Sequence, residues 1–205
     1  MKTELNACVE RLGEGLRAFP WADRVAYGDW LAQTYYYVRH STRLLAAAAA
    51  RFGCDDVGDK LHHRFAAHMG EEKRHELLAV NDLKHLDLQL SRFGERDTTR
   101  MFYEPQYFKI EHVSPFALFG YILALEAMSA THGPEALRQV RDAHKSADAF
   151  LRVHAEDDPD HVDKALAMVE QLGDAAHAHI VQNMNQSTTA YLAMLREMAT
   201  APAGR

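Results

Sequence analysis

At 205 residues, with 47% hydrophobic and 25% charged side chains, the chain has enough apolar material to bury a full core, and we read residues 1–205 as a single domain. A formal net charge of −6 without any basic block argues against nucleic acid as a partner. Cys8 and Cys54 form no CxxC or other ladder of spacings, so neither a disulfide scaffold nor a thiolate metal site is indicated, and a reducing cytoplasm fits best.

The N-terminus alternates charge with apolar residues, unlike a secretory signal, and no run approaches the length of a membrane span. Apolar residues recur at intervals of three and four almost throughout, and β-branched alternation is nearly absent, so the chain reads as all-α with about seven helices. A first helix covers about residues 3–18 and stops near Pro20; a second runs through "WLAQTYYYVRHSTRLLAAAAARF" to Gly53. "CDDVGDK" is the connecting turn. A third helix spans about 58–91, and the polar, aromatic stretch from 92 to 113 reads as a loop. Ser114 and Pro115 open "PFALFGYILALEAMSATHG", which Gly133 closes. A short helix over 134–143 and a long one over 145–199 complete the chain.

Metal-capable residues interrupt the apolar faces of three of these helices. In "HAEDDPDHVD", at about 100° per residue, Asp158 lies about 40° and His161 about 20° around from His154. Phe150, Leu151, Ala165 and Val169 continue that stripe, so three groups costly to bury stand on a core face. On the third helix, Glu72 of the Glu72-x-x-His75 pair falls among Leu61, Phe65, Ala79 and Leu83, and His68 falls inside the same cluster as a further ligand or a supporting donor. Glu126 is the one charge in "PFALFGYILALEAMSA"; it is either paired to a backbone amide or a buried Arg, such as Arg39 or Arg43, or joined to a metal. One shared centre accounts for Glu72, His75, Glu126, His154, Asp158 and His161 together. Their mixed oxygen and nitrogen set, without sulfur, suits a bridged pair of iron or manganese ions. Pro159 has no N–H and clashes with the carbonyl of Ala155, which predicts a kink or fresh start there, and Asp158 either ligates or caps the new helix. His40, on the core side of the second helix, is a candidate supporting donor or extra ligand. Phe119, Ile122 and Leu123 share the face of Glu126, and with Phe65 and Phe150 they are candidates for an apolar substrate pocket.

"EEKRHELLAVNDLKHL", "FALFGYILALEAMS" and "FLRVHAEDDPDHVDKAL", in that order, together with the upstream "YYYVRHSTRLLAAAAARF", resemble the haem-oxygenase-like di-iron oxidases and oxygenases, the iron-containing redox enzymes, over about residues 30–195. The resemblance implies a haem-oxygenase-like helical bundle with the six ligands above and two irons per chain. It further implies O₂ as co-substrate, and N-oxygenation, fatty-acid decarboxylation or C–C cleavage of an amino acid as the reaction. Bundles of this kind pair through long helices, so a homodimer is expected. Two rival readings use the same bundle: a metal-free binding or structural dimer, and a thiaminase-like hydrolase. The second lacks a recognisable base beside either cysteine.

Overall fold

The computed structural model describes residues 1–200, apart from the side chains of residues 156–160. The described residues form α-helices and two 3₁₀ turns, with no strand. In chain order the helices are α1 (Lys2–Ala18), α2 (Arg24–Val38), α3 (Ser41–Ala49), α4 (Asp56–Glu71), α5 (Glu76–His85), α6 (Asp97–His112), α7 (Leu118–His144), α8 (Ala149–Val169) and α9 (Asp174–Thr200). Short polar caps start two of them. Asp23 accepts from the amides of Val25 and Ala26 at 2.8 and 3.0 Å, and Asp55 accepts from those of Val57 and Gly58 at 3.1 and 2.9 Å.

The apolar segment containing Glu126 is the axis of the fold. α7 packs against α1, α8 and α9, and every residue from Leu118 to Ala124 is buried. A Cβ on Gly120 would come within 2.2 Å of the Ile180 carbonyl oxygen, so glycine permits the backbones of α7 and α9 to cross closely there.

Several boundaries depart from the sequence reading. The second predicted helix breaks at Arg39–His40 into α2 and α3, and the third breaks at residues 72–75 into α4 and α5. Neither break carries a glycine or proline. α4 packs on α3, whereas α5 packs on α2 and α8, and one straight helix cannot serve both directions. Arg74 turns the corner with φ of 72°. Residues 92–113 contain α6, not a loop: Thr99, Phe102, Tyr103, Gln106 and Ile110 form its buried face, and its Pro105 follows an exposed turn at Met101. α7 continues through Gly133 and Pro134 to His144, and α8 continues through Pro159, so neither proline breaks its helix. The lost hydrogen bond at each is outweighed by burial on both sides: Ala136, Leu137 and Val140 follow Pro134, and Phe150, Leu151, Ala165 and Val169 flank Pro159. The long last helix instead divides at Gly173 into α8 and α9.

Candidate metal centre

Three segments meet beside the middle of α7. The end of α4 brings His68, Glu71 and Glu72, the 72–75 turn brings His75, and α8 brings His154 and His161 against Glu126. α8 is anchored at its first turn by Asp82 of α5, whose carboxylate accepts from the amides of Ala149 and Phe150 at 3.0 and 2.8 Å. Tyr27 donates to the carbonyl of Ala147 at 2.6 Å, tying down the preceding turn. Burial raises the Asp82 carboxyl to about 6, against the pull of those two amides.

The donors fall into two groups. His68, Glu126 and His161 are buried, and one ligand atom from each lies within 4.8 Å of the others; Glu72, His75 and His154, half-buried, meet the same limit. Within the first group, His68 Nε2 lies 3.2 Å from Glu126 Oε1, and His161 Nδ1 lies 3.9 Å from the same oxygen. His68 also links the groups, with Nε2 3.7 Å from Glu72 Oε1. His75 Nδ1 lies 3.7 Å from Glu72 Oε2, and its ring centroid is 5.1 Å from that of His154. Nδ1–H of His154 donates to the Phe150 carbonyl at 2.8 Å, which leaves Nε2 as the lone-pair nitrogen of that imidazole. Phe150 stacks on the same ring with centroids 4.0 Å apart.

The electrostatics are those of carboxylates sharing a cationic partner. Burial alone would push His68 down, but hydrogen bonding and attraction from Glu126 and Glu72 hold it at about 9. Burial likewise opposes ionisation of Glu72, yet His68, His154 and His75 hold it at about 2. The imidazolium of His68 thus balances buried negative charge that would otherwise be costly.

Five of the six sequence-derived ligands are brought together, and Asp158, as ligand or as cap, lies outside the described residues. His68 joins the centre of the cluster. Glu71 was missed: its Oε2 sits 3.4 Å from His161 Nε2 and 3.0 Å from Arg64 Nη1. His40 lies elsewhere, stacked on Tyr103 at 4.1 Å and 2.8 Å from the Tyr107 hydroxyl. Arg39 and Arg43 do not serve Glu126: Arg39 lies over the rings of Tyr35 and Tyr36, and Arg43 donates to the Arg39 carbonyl.

A cavity of about 100 Å³ reaches the cluster, with His68, Glu72, Glu126 and His154 in its wall. Ile122 and Phe150 line it as expected. Phe65, Phe119 and Leu123 do not; they are core packing, with Phe65 and Phe119 edge to face at 5.0 Å. No described helix is long and apolar enough to cross a membrane.

The model of a family described as iron-containing redox enzymes matches residues 28–193. Among solved structures, a haem-oxygenase-like domain of unknown function from Shewanella denitrificans is similar at a TM-score of 0.84 and 17% identity, over 97% of this chain and 91% of that one. A TenA homologue from Pyrococcus furiosus is similar at 0.73 and 14% identity, over 97% and 98% of the two chains. A TenA homologue from Pseudomonas syringae pv. tomato is similar at 0.73 and 13% identity, over 98% and 92%. At these identities the likeness establishes a haem-oxygenase-like fold. No curated protein matches the chain.

Proposed function

The chain belongs to the iron-containing redox enzyme family, and from that premise we propose that it is a non-haem di-iron oxidase or oxygenase, using O₂ to oxidise a small, partly apolar amine, amino acid or fatty acid. The observation that carries this reading is the pairing of two three-donor groups, each with ligand atoms within 4.8 Å, side by side on one cavity. The donor set fits the metal: carboxylate oxygens and imidazole nitrogens without sulfur suit iron, with manganese as a substitute. His68, Glu126 and His161 would hold one ion and Glu72, His75 and His154 the other, with Asp158 completing the set. Iron bound there supplies the electron transfer to O₂ that none of these side chains can perform.

The protein's own residues do the rest. Glu126 contributes the negative charge of the first group, 3.2 Å from His68 and 3.9 Å from His161, and His68 carries the contact to Glu72 of the second at 3.7 Å. The Phe150 carbonyl fixes the His154 tautomer. The apolar wall excludes water from the reacting centre. The TenA likeness favours the thiaminase-like alternative only through the fold, and neither Cys8 nor Cys54 is among the cavity-lining residues. Reconstitution with ferrous iron under argon, followed by elemental analysis, should return two ions per chain, and Glu126→Ala should lose affinity most. A wild-type chain that retains no iron overturns the proposal.

A further inference from the structure

The two imidazoles that α8 brings to the centre are held in different ways. His154 keeps its Nδ1–H on the Phe150 carbonyl one turn back in the same helix, at 2.8 Å, and so offers Nε2. Around His161 the arrangement is reversed. Its Nδ1 faces inward, 3.9 Å from the Glu126 oxygen that also lies 3.2 Å from His68 Nε2, so the donors of the buried group converge on that side of the ring. Its Nε2 faces the other way, 3.4 Å from Glu71 Oε2. Glu71 lies outside the convergent three-residue group. The same Oε2 accepts from Arg64 Nη1 at 3.0 Å, about two turns earlier on α4, and the pair stands toward solvent, with side chains 15% and 36% exposed.

A neutral imidazole carries one N–H and one lone pair, and the group beside one nitrogen decides which end is left for a metal. A carboxylate accepts hydrogen bonds and donates none. A cation among Glu126, His68 and Nδ1 displaces any proton between them, whereas the proton on Nε2, opposite Glu71, stays. We propose that His161 binds its ion through Nδ1 while Glu71, braced by Arg64, holds Nε2–H, so that the two imidazoles of α8 ligate through opposite ring nitrogens. This rests on the metal-centre reading above for the presence of the ion. Glu71 is a positioning residue: it acts by fixing the tautomer and the plane of the His161 ring.

Zinc is diamagnetic and takes the same oxygen and nitrogen donors, so nitrogen NMR of isotope-labelled, zinc-loaded protein reads which nitrogen of each ring is ligated. The His161 signals are assigned by their loss in His161→Gln. His161 should show a ligated Nδ1 and a protonated Nε2, and His154 the reverse. In calorimetric zinc titrations Glu71→Ala should weaken one binding step about tenfold and leave the other unchanged. Glu71→Gln, whose amide oxygen still accepts, should recover most of that loss. Equal weakening in the two variants reduces Glu71 to a distant charge and overturns its positioning role, as does unaltered binding in Glu71→Ala. A ligated Nε2 on His161 overturns the assignment of the nitrogen and leaves the metal centre standing. Absence of zinc uptake by the wild type overturns the metal centre itself, and this assignment with it.

Discussion

Replacing His68 by glutamine removes the cation between two buried carboxylates and makes the metal-free protein's stability respond differently to pH. In the folded chain His68 is held at about 9, against 6.5 when unperturbed. A folded-state value above the unfolded one means that the stabilisation is complete below pH 6.5 and disappears as pH rises through 9. At 1.36 kcal/mol per pH unit, that interval corresponds to about 3 kcal/mol. Glu72, held at about 2 partly by the same imidazole, describes the same contacts from the other side and is not added. Urea unfolding in a chelator at pH 6 and pH 9.5 should show wild type losing about 3 kcal/mol more than His68→Gln across that range. Metal uptake should run the other way, tightening as pH rises through the same window, because ligation needs neutral imidazole. Equal losses in wild type and variant would refute the pairing of His68 with Glu126 and Glu72.

Asp82→Ala should cost about 1–3 kcal/mol in thermal or urea unfolding, because it strips the acceptor from two amides at the start of α8. It should also weaken iron binding through His154 and His161, and an unchanged melting temperature would discount the cap. Asp82→Asn should flatten the stability profile between about pH 4 and 6: a carboxyl raised to about 6 contributes fully below its unfolded value of 3.8 and loses that contribution as pH rises through 6. Light scattering at micromolar concentration should return twice the 23.2 kDa chain mass if the protein pairs through its long helices, and the single-chain mass rejects the homodimer.

The helical class was legible because spacing of three and four pervades the sequence. The breaks at 39–40 and 72–75 were not, since they answer to packing in two directions and leave no glycine or proline as a mark. α6 escaped because polar Thr99 and Gln106 sit on its buried face, where periodicity looks for apolar residues. Gly133 and Pro159 misled in the opposite sense: Gly133 read as a helix end and Pro159 as a kink or fresh start, yet flanking burial carries both helices through. At the site, the wheel set Glu72 and His75 on one straight helix, whereas both lie in the turn between α4 and α5. His68 lay on the same stripe, and its proximity to Glu126 depends on α7 arriving there, which a wheel of one helix cannot express. Glu71 reaches His161 only because α8 passes beside it. Of the pocket candidates, Phe65, Phe119 and Leu123 fall outside the cavity lining for a related reason. Sharing a face with Glu126 does not separate residues beside a void from residues pressed on a neighbour, and Phe119 and Leu123 are the latter.

The hairpin of α7 and α8 carries Glu126, His154 and His161, whereas His68, Glu72 and His75 arrive from α4 and the following turn. Contacts between neighbouring helices close shorter loops and form sooner than those that bring in a distant segment. During folding the centre is therefore expected to exist first as half a site, one carboxylate and two imidazoles presented on a hairpin. Docking of α4 is then the event that supplies the balancing charge. An ion caught by that half-site would draw α4 into place, so the order of assembly couples metal capture to the docking of α4.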